Sequence, residues 1–112
     1  MISEARNERI KILRQYLLED EHDHFSRYAL ALELMETGDS AGAIQHFKMV
    51  VSLNPSFLAA YYQLGKALEK ESGATEAAAI YTQGIAVARE QKNVKTASEL
   101  RMALDSLTDD GE

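Results

Sequence analysis

Two stretches of the chain echo one another at a spacing of 34 residues, and that echo restricts the fold more than any other feature. The first copy reads Arg27-x-x-Leu30-Ala31-x-x-Leu34, then Ala43-x-x-x-Phe47, then Pro55. The second reads Tyr61-x-x-Leu64-Gly65-x-x-Leu68, then Ala77-x-x-x-Tyr81. Inside each block the apolar residues recur three and four apart, the spacing of one helix face. Turn residues separate the blocks: Gly38-Asp39-Ser40 in one copy, Ser72-Gly73 in the other. Large and small apolar sites matched at a fixed long period imply two copies of one helix–turn–helix unit, because each site must meet its counterpart when the copies stack. The fold class is therefore all-α, an α-α superhelix of two repeats with a helix on either side.

Composition narrows what such a stack can do. The 112 residues make one domain, 46% hydrophobic and 27% charged, large enough to bury a core without disulfides or metals. No apolar run approaches the roughly 20 residues of a membrane span, so no membrane association is expected. The stretch Met1-Ile2-Ser3-Glu4-Ala5-Arg6 is charged at once and leaves no room for a secretory signal in the chain as given. The absence of Cys excludes disulfides and thiolate chemistry and fits a cytoplasmic location. A formal net charge of −6 argues against nucleic acid, whose phosphates draw on Lys and Arg, and favours basic or amphipathic protein partners.

Taken in order, residues 3–19 read as an N-terminal helix capped by Ser3, with Ile10, Leu13 and Leu17 on one side. Leu13 falls one period before Phe47, but Arg9 stands where Ala43 and Ala77 stand, so this helix packs differently or covers the end of the stack. A polar link from Glu19 to His24 follows, ending in an N-cap at Asp23. His22, Asp23 and His24 invite a metal reading, but two His at i,i+2 on a loop lack a third ligand and ordered support, so the stretch reads as a solvated acidic linker; no metal or other cofactor is expected. The first unit, 24–57, places helices at Phe25 to Thr37 and from Asp39 or Ser40 to Leu53, joined through a left-handed Gly38. Asn54-Pro55 ends it, with Pro55 placed in the first turn of the next helix. The second unit, 58–91, runs from Ser56 to Glu71 and from Thr75; Arg89 occupies the site of Pro55, so its last helix should continue to about Lys92. A third unit would want Leu and a small residue where Ser98 and Glu99 stand, which makes 94–107 a capping helix, with Thr108 to Glu112 frayed.

These two units resemble the tetratricopeptide repeat. In the first, Leu30, Ala31, Ala43, Phe47 and Pro55 fit that pattern, while Arg27, Leu34 and Val50 depart from it; in the second, Tyr61, Leu64, Gly65, Ala77, Tyr81 and Gly84 fit, while Leu68 and Arg89 depart. The resemblance implies a right-handed stack whose first helices line a short concave groove for an extended or helical peptide, hence a non-enzymatic adaptor or scaffold. It places Phe25, Tyr28, Ala29, Leu32, Met35 and Glu36 on the groove from one unit. Ala59, Tyr62, Gln63, Lys66, Glu69 and Lys70 line it from the other. The alternative for Phe25 and Met35 is packing beneath the N-terminal helix. Chaperone-binding members of the family clamp a terminal carboxylate with Lys, Asn and Arg; the matching positions here are Tyr28, Leu32, Gln63, Asn93 and Ala97, so that clamp is absent.

Two other classes of function stand beside this one. Self-assembly, for instance as a homodimer, would use Ile12 and Tyr16 on the first helix and Leu100, Leu104 and Leu107 on the last. Catalysis finds no support: there is no Gly-rich phosphate loop, no Cys nucleophile and no His-Glu-x-x-His, and His46 beside Phe47 reads as a structural residue.

Overall fold

A computed structural model describes residues 3–109, and within them the periodicity becomes six α-helices. They are α1 (Glu4–Glu19), α2 (His24–Glu36), α3 (Ser40–Leu53), α4 (Leu58–Glu71), α5 (Ala74–Glu90) and α6 (Val94–Asp109). Short polar side chains start four of them by accepting otherwise unpaired N–H groups. Ser3 Oγ accepts from Arg6 at 3.1 Å, Asp23 from Ser26 at 3.0 Å, Asp39 from Gly42 at 2.8 Å and Asn93 from Thr96 at 3.0 Å. Gly38, at φ +89°, ends α2 with the paired bonds of a left-handed cap, its own N–H to Met35 O at 3.1 Å and that of Asp39 to Leu34 O at 2.9 Å. The tail expected to fray is only partly described: α6 continues through Asp109, and residues 110–112 lie outside the described residues.

Equivalent sites in the two hairpins have equivalent surroundings. Leu30 and Leu64, Ala43 and Ala77, and Phe47 and Tyr81 are all fully buried. The size match is reciprocal: the first hairpin sets Ala31 with Phe47, the second Gly65 with Tyr81. A Cβ at Gly65 would collide with the Tyr81 ring, whose hydroxyl donates to Glu69 Oε2 at 2.6 Å. Gly84 likewise lets α4 and α6 close on α5, since a Cβ there would lie 2.8 Å from Tyr61 Cβ and 2.9 Å from Leu100 Cδ1. Each helix packs on the next, and the stack measures 41 × 31 × 19 Å across its Cα atoms; the short dimension is that of two helix layers. α2 touches α4, and α4 faces α6 across a cleft, so with each helix packed on the next these three form one layer and α1, α3 and α5 the other.

Three sequence expectations shift. α4 begins at Leu58 rather than Ser56, so Pro55 sits in the turn before it, where its carbonyl accepts from the Tyr61 hydroxyl at 2.6 Å. α5 ends at Glu90, short of Lys92, because Lys92 itself adopts the left-handed conformation at φ +60°. The same two cap bonds form there, Lys92 N–H to Arg89 O at 3.0 Å and Asn93 N–H to Ala88 O at 2.9 Å. This cap delays α6 by two residues relative to the 34-residue period, so Leu100, 36 positions after Leu64, takes the buried first-helix site. α6 caps the stack in the register of a first helix. Leu100 is fully buried and Leu104 and Leu107 pack on the core, so these three do not form the exposed edge expected for self-assembly; Val94 and Met102 are the exposed apolar residues of this helix.

α1 is held differently from the other helices. None of its side chains is fully buried, and Ile10, Leu13 and Leu17 only lean on the core. Arg9, too long for the close contact made by Ala43 and Ala77, turns outward and joins Arg6 on the Glu33 carboxylate, at 2.9 and 2.8 Å. Those bonds, those from Arg9 foremost, hold the Glu33 carboxyl below the usual range for a glutamate.

Candidate functional site

The face shared by α2, α4 and α6 is built from residues spaced three, four and seven apart on each helix. On α4, Tyr62 is half-buried, its ring 6.4 Å from that of Tyr81, and the Lys66 ammonium lies 5.6 Å from the Tyr62 ring centroid. Lys66 also sits 3.8 Å from Glu69, one helical turn on. Glu69 is therefore committed inward, accepting from the buried Tyr81 hydroxyl, whose pKa is pushed far up by burial and then by this carboxylate. Gln63 is half-buried and Lys70 exposed.

Opposite Tyr62 and Lys66 stands α6. Glu99, Met102, Ala103 and Ser106 close a cleft of about 510 Å³ against them. Met102, 71% exposed, offers this cleft an adaptable apolar surface. None of these α6 residues is among the sequence candidates, and a fixed 34-residue projection puts Glu99, Met102 and Ser106 at the equivalents of Gly65, Leu68 and Ser72, off the inner face. The signal that would have found them is the cap pair Asn93 and Thr96 followed by Leu100-x-x-x-Leu104, which sets the register two residues later. The same shift moves two of the clamp positions from Asn93 and Ala97 to Lys95 and Glu99.

The α2 candidates divide into two groups. Phe25 and Tyr28 join an aromatic cluster around Phe57: Phe25 packs edge-on at 5.6 Å, Tyr28 edge-on at 5.0 Å, and His24 lies 4.4 Å from Phe25. Tyr28 also leans on Phe47 at 5.7 Å, and burial raises its phenol pKa. Leu32 and Met35 are partly buried on the core. Phe25 is 66% exposed, and α1 meets α2 at Arg27, Leu30 and Glu33, a different face from that of Phe25 and Leu32. Phe25 is thus not packed beneath α1. His24 turns instead to the Asn54 side chain at 3.2 Å and His22 is exposed; among the described residues no group of three or more His, Cys, Asp or Glu side chains is placed to hold a metal ion. No helix among the described residues is long and apolar enough to cross a membrane.

Stacked hairpins with matched large and small sites, and a shared inner layer carrying tyrosines, define a helical-repeat protein of the tetratricopeptide type. The chain is 38% identical to a tetratricopeptide repeat domain protein from Salinibacter ruber, over 79% of this chain and 89% of that one, with a TM-score of 0.73. The chain belongs to the tetratricopeptide repeat family. Two more distant structures share the fold: the type III secretion translocator chaperone SycD of Yersinia enterocolitica and a Bordetella parapertussis protein. SycD is 10% identical, with a TM-score of 0.85 over 93% of this chain and 72% of that one. The Bordetella protein is 20% identical, with a TM-score of 0.79 over 98% of this chain and 91% of that one. No protein-family model matches the sequence, and no curated protein is detectably similar to it.

Proposed function

We propose that this chain is a non-enzymatic adaptor or scaffold module that holds a segment of a protein partner along the α2–α4–α6 face, in the cytoplasm, without a cofactor. The observation that carries the reading is the cleft between α4 and α6, where Tyr62 and Met102 supply apolar area and Lys66 and Glu99 supply opposite charges. Phe25, Tyr28, Leu32 and Met35 extend the apolar side of the same face, and Gln63 and Lys70 flank its charged side. A partner segment with one apolar anchor and a mixed-charge flank fits this arrangement. SycD, a chaperone of another protein, shares the fold, which supports a protein rather than a small molecule as occupant. The net charge of −6 supports neither nucleic acid nor an anionic membrane surface as partner. The test is affinity capture from the native lysate with wild-type and Tyr62→Ala baits. A prey lost with Tyr62→Ala, while far-UV circular dichroism and the melting curve stay unchanged, is the expected result; equal capture by both baits defeats the reading.

A second reading, self-association through the terminal helices, is favoured by one observation. α6 carries a second cleft of about 600 Å³, lined by Arg89, Lys92, Val94, Ala97, Arg101 and Met102 among others, and Val94 is 76% exposed. On α1, Ile12 and Tyr16 are about half exposed. Sedimentation over a wide concentration range decides it: a persistent monomer removes self-association.

A further inference from the structure

Away from the α2–α4–α6 face, a hollow of about 360 Å³ opens between the first three helices. Arg14, Leu17 and Leu18 line it from α1, Arg27 and Leu30 from α2, and His46 from α3. In a chain of net charge −6, two guanidinium groups and an imidazole converge here, and among the described residues neither Arg14 nor Arg27 pairs with a carboxylate. One helical turn or two away, by contrast, Arg6 and Arg9 share the single carboxylate of Glu33.

The hydrogen bonds define what the hollow offers. Arg27 Nη2 donates to the Glu21 carbonyl at 2.8 Å and Nη1 lies 3.2 Å from His46 Nδ1, while its buried Nε–H has no partner. A guanidinium has only donors, so His46 Nδ1 accepts and the imidazole is the neutral tautomer carrying its proton on Nε2. Burial, then the charges of Arg27 and Arg14, keep the His46 pKa below its ordinary value, with Asp39 pulling weakly the other way. Asp39 is itself engaged as the cap of α3 through Gly42. The walls thus carry N–H donors and two positive charges, with Leu17 and Leu18 as apolar surface and the fully buried Leu30 at the back.

We propose that this hollow binds a phosphate monoester carried on a small apolar body. Two guanidinium charges match the dianion, the planar Arg forks and the imidazole N–H match its several oxygens, and the leucines match the ester group. A carboxylate has one charge and two oxygens and uses less of the site. The reading is independent of the inner face, since Arg14, Arg27 and His46 are not among its residues.

The experiment titrates the isotope-labelled full chain with phenyl phosphate, inorganic phosphate, benzoate and a pentapeptide containing phosphotyrosine, following the His46 ring and the arginine Nε–H signals by NMR. Saturable shifts at Arg27 Nε–H and His46 are expected, with phenyl phosphate binding at least fivefold tighter than inorganic phosphate and tenfold tighter than benzoate. Bound dianion should also raise the His46 titration midpoint. Arg14 is exposed, so Arg14→Gln should weaken phenyl phosphate binding at least tenfold with the melting curve unchanged, and Arg14→Lys should restore part of it. Leu18, 81% exposed, provides a second variant: Leu18→Ser should reduce the advantage of phenyl over inorganic phosphate. A peptide that binds as tightly as phenyl phosphate or tighter assigns the ester to a protein side chain; a peptide that fails where phenyl phosphate binds assigns it to a free small molecule. Non-saturable shifts, benzoate as tight as phenyl phosphate, or an Arg14→Gln variant with wild-type affinity overturns the proposal.

Discussion

Gly65→Ala sets two opposing effects against each other in the middle of the stack. Alanine is favoured over glycine in a helix interior by about 0.5–1 kcal/mol. The added methyl, however, lands on the Tyr81 ring, which is fully buried and tied through its hydroxyl to Glu69 at 2.6 Å. Overpacking of a filled core costs about 1–3 kcal/mol. The clash wins, and the net loss should be about 1–2 kcal/mol, with the melting temperature falling by roughly 5 °C for each kcal/mol. Urea denaturation followed by far-UV circular dichroism reads this as a lower midpoint at unchanged slope. Adding Tyr81→Phe frees the ring from Glu69 and recreates the Ala31–Phe47 pair of the first hairpin, so the two substitutions together should be less harmful than their sum by about 1 kcal/mol. A Gly65→Ala variant more stable than wild type would refute the matched-size argument, because it would mean that the Tyr81 ring does not fill the space left by the missing Cβ.

Other positions test other parts of the account. Phe47→Ala removes a fully buried ring and should cost about 3–5 kcal/mol in the same denaturation experiment. Lys92→Gly should stabilise the chain by about 0.5–1 kcal/mol, since glycine adopts the φ of +60° found there without strain; a loss would show that the Lys92 side chain contributes more than its backbone costs. Glu33, whose carboxyl is held low by Arg9 and Arg6, gives a pH dependence of definite sign. The unfolded chain takes up this proton at higher pH than the folded one, so the contribution is complete above the ordinary glutamate range and is lost as pH falls through the depressed folded value. Melting temperatures from pH 7 down to 3 should therefore fall less steeply for Glu33→Gln than for wild type.

The two hairpins were legible because their signals are local and repeated: helical spacing, a left-handed glycine, a short polar cap, and big and small residues at fixed offsets. Gly38, Asp39 and the Leu30/Leu64 and Phe47/Tyr81 pairs all stand as the residues imply. What the sequence concealed arises where one local rule competes with another. Without a proline at 89, α5 runs three residues beyond the equivalent of Leu53, and Lys92 then accepts a conformation usually given to glycine. No propensity argument anticipates that choice, yet it resets α6 by two residues and brings Glu99, Met102 and Ser106 to the inner face. Spacing also says nothing of contacts between helices: Glu69 turns toward Tyr81, and Phe25 and Tyr28 gather on Phe57, a residue whose role depends on where α4 begins.

The central claim is that the α2–α4–α6 face, not the opposite layer, receives a protein segment. Its most direct test is to select binding peptides from a random library against the folded chain and map the tightest one by backbone and methyl NMR. Shifts concentrated at Leu32, Tyr62, Lys66 and Met102, and binding lost in Tyr62→Ala with the fold intact, are the predicted result. Shifts confined to α1, α3 and α5, or unchanged binding by Tyr62→Ala, would contradict it.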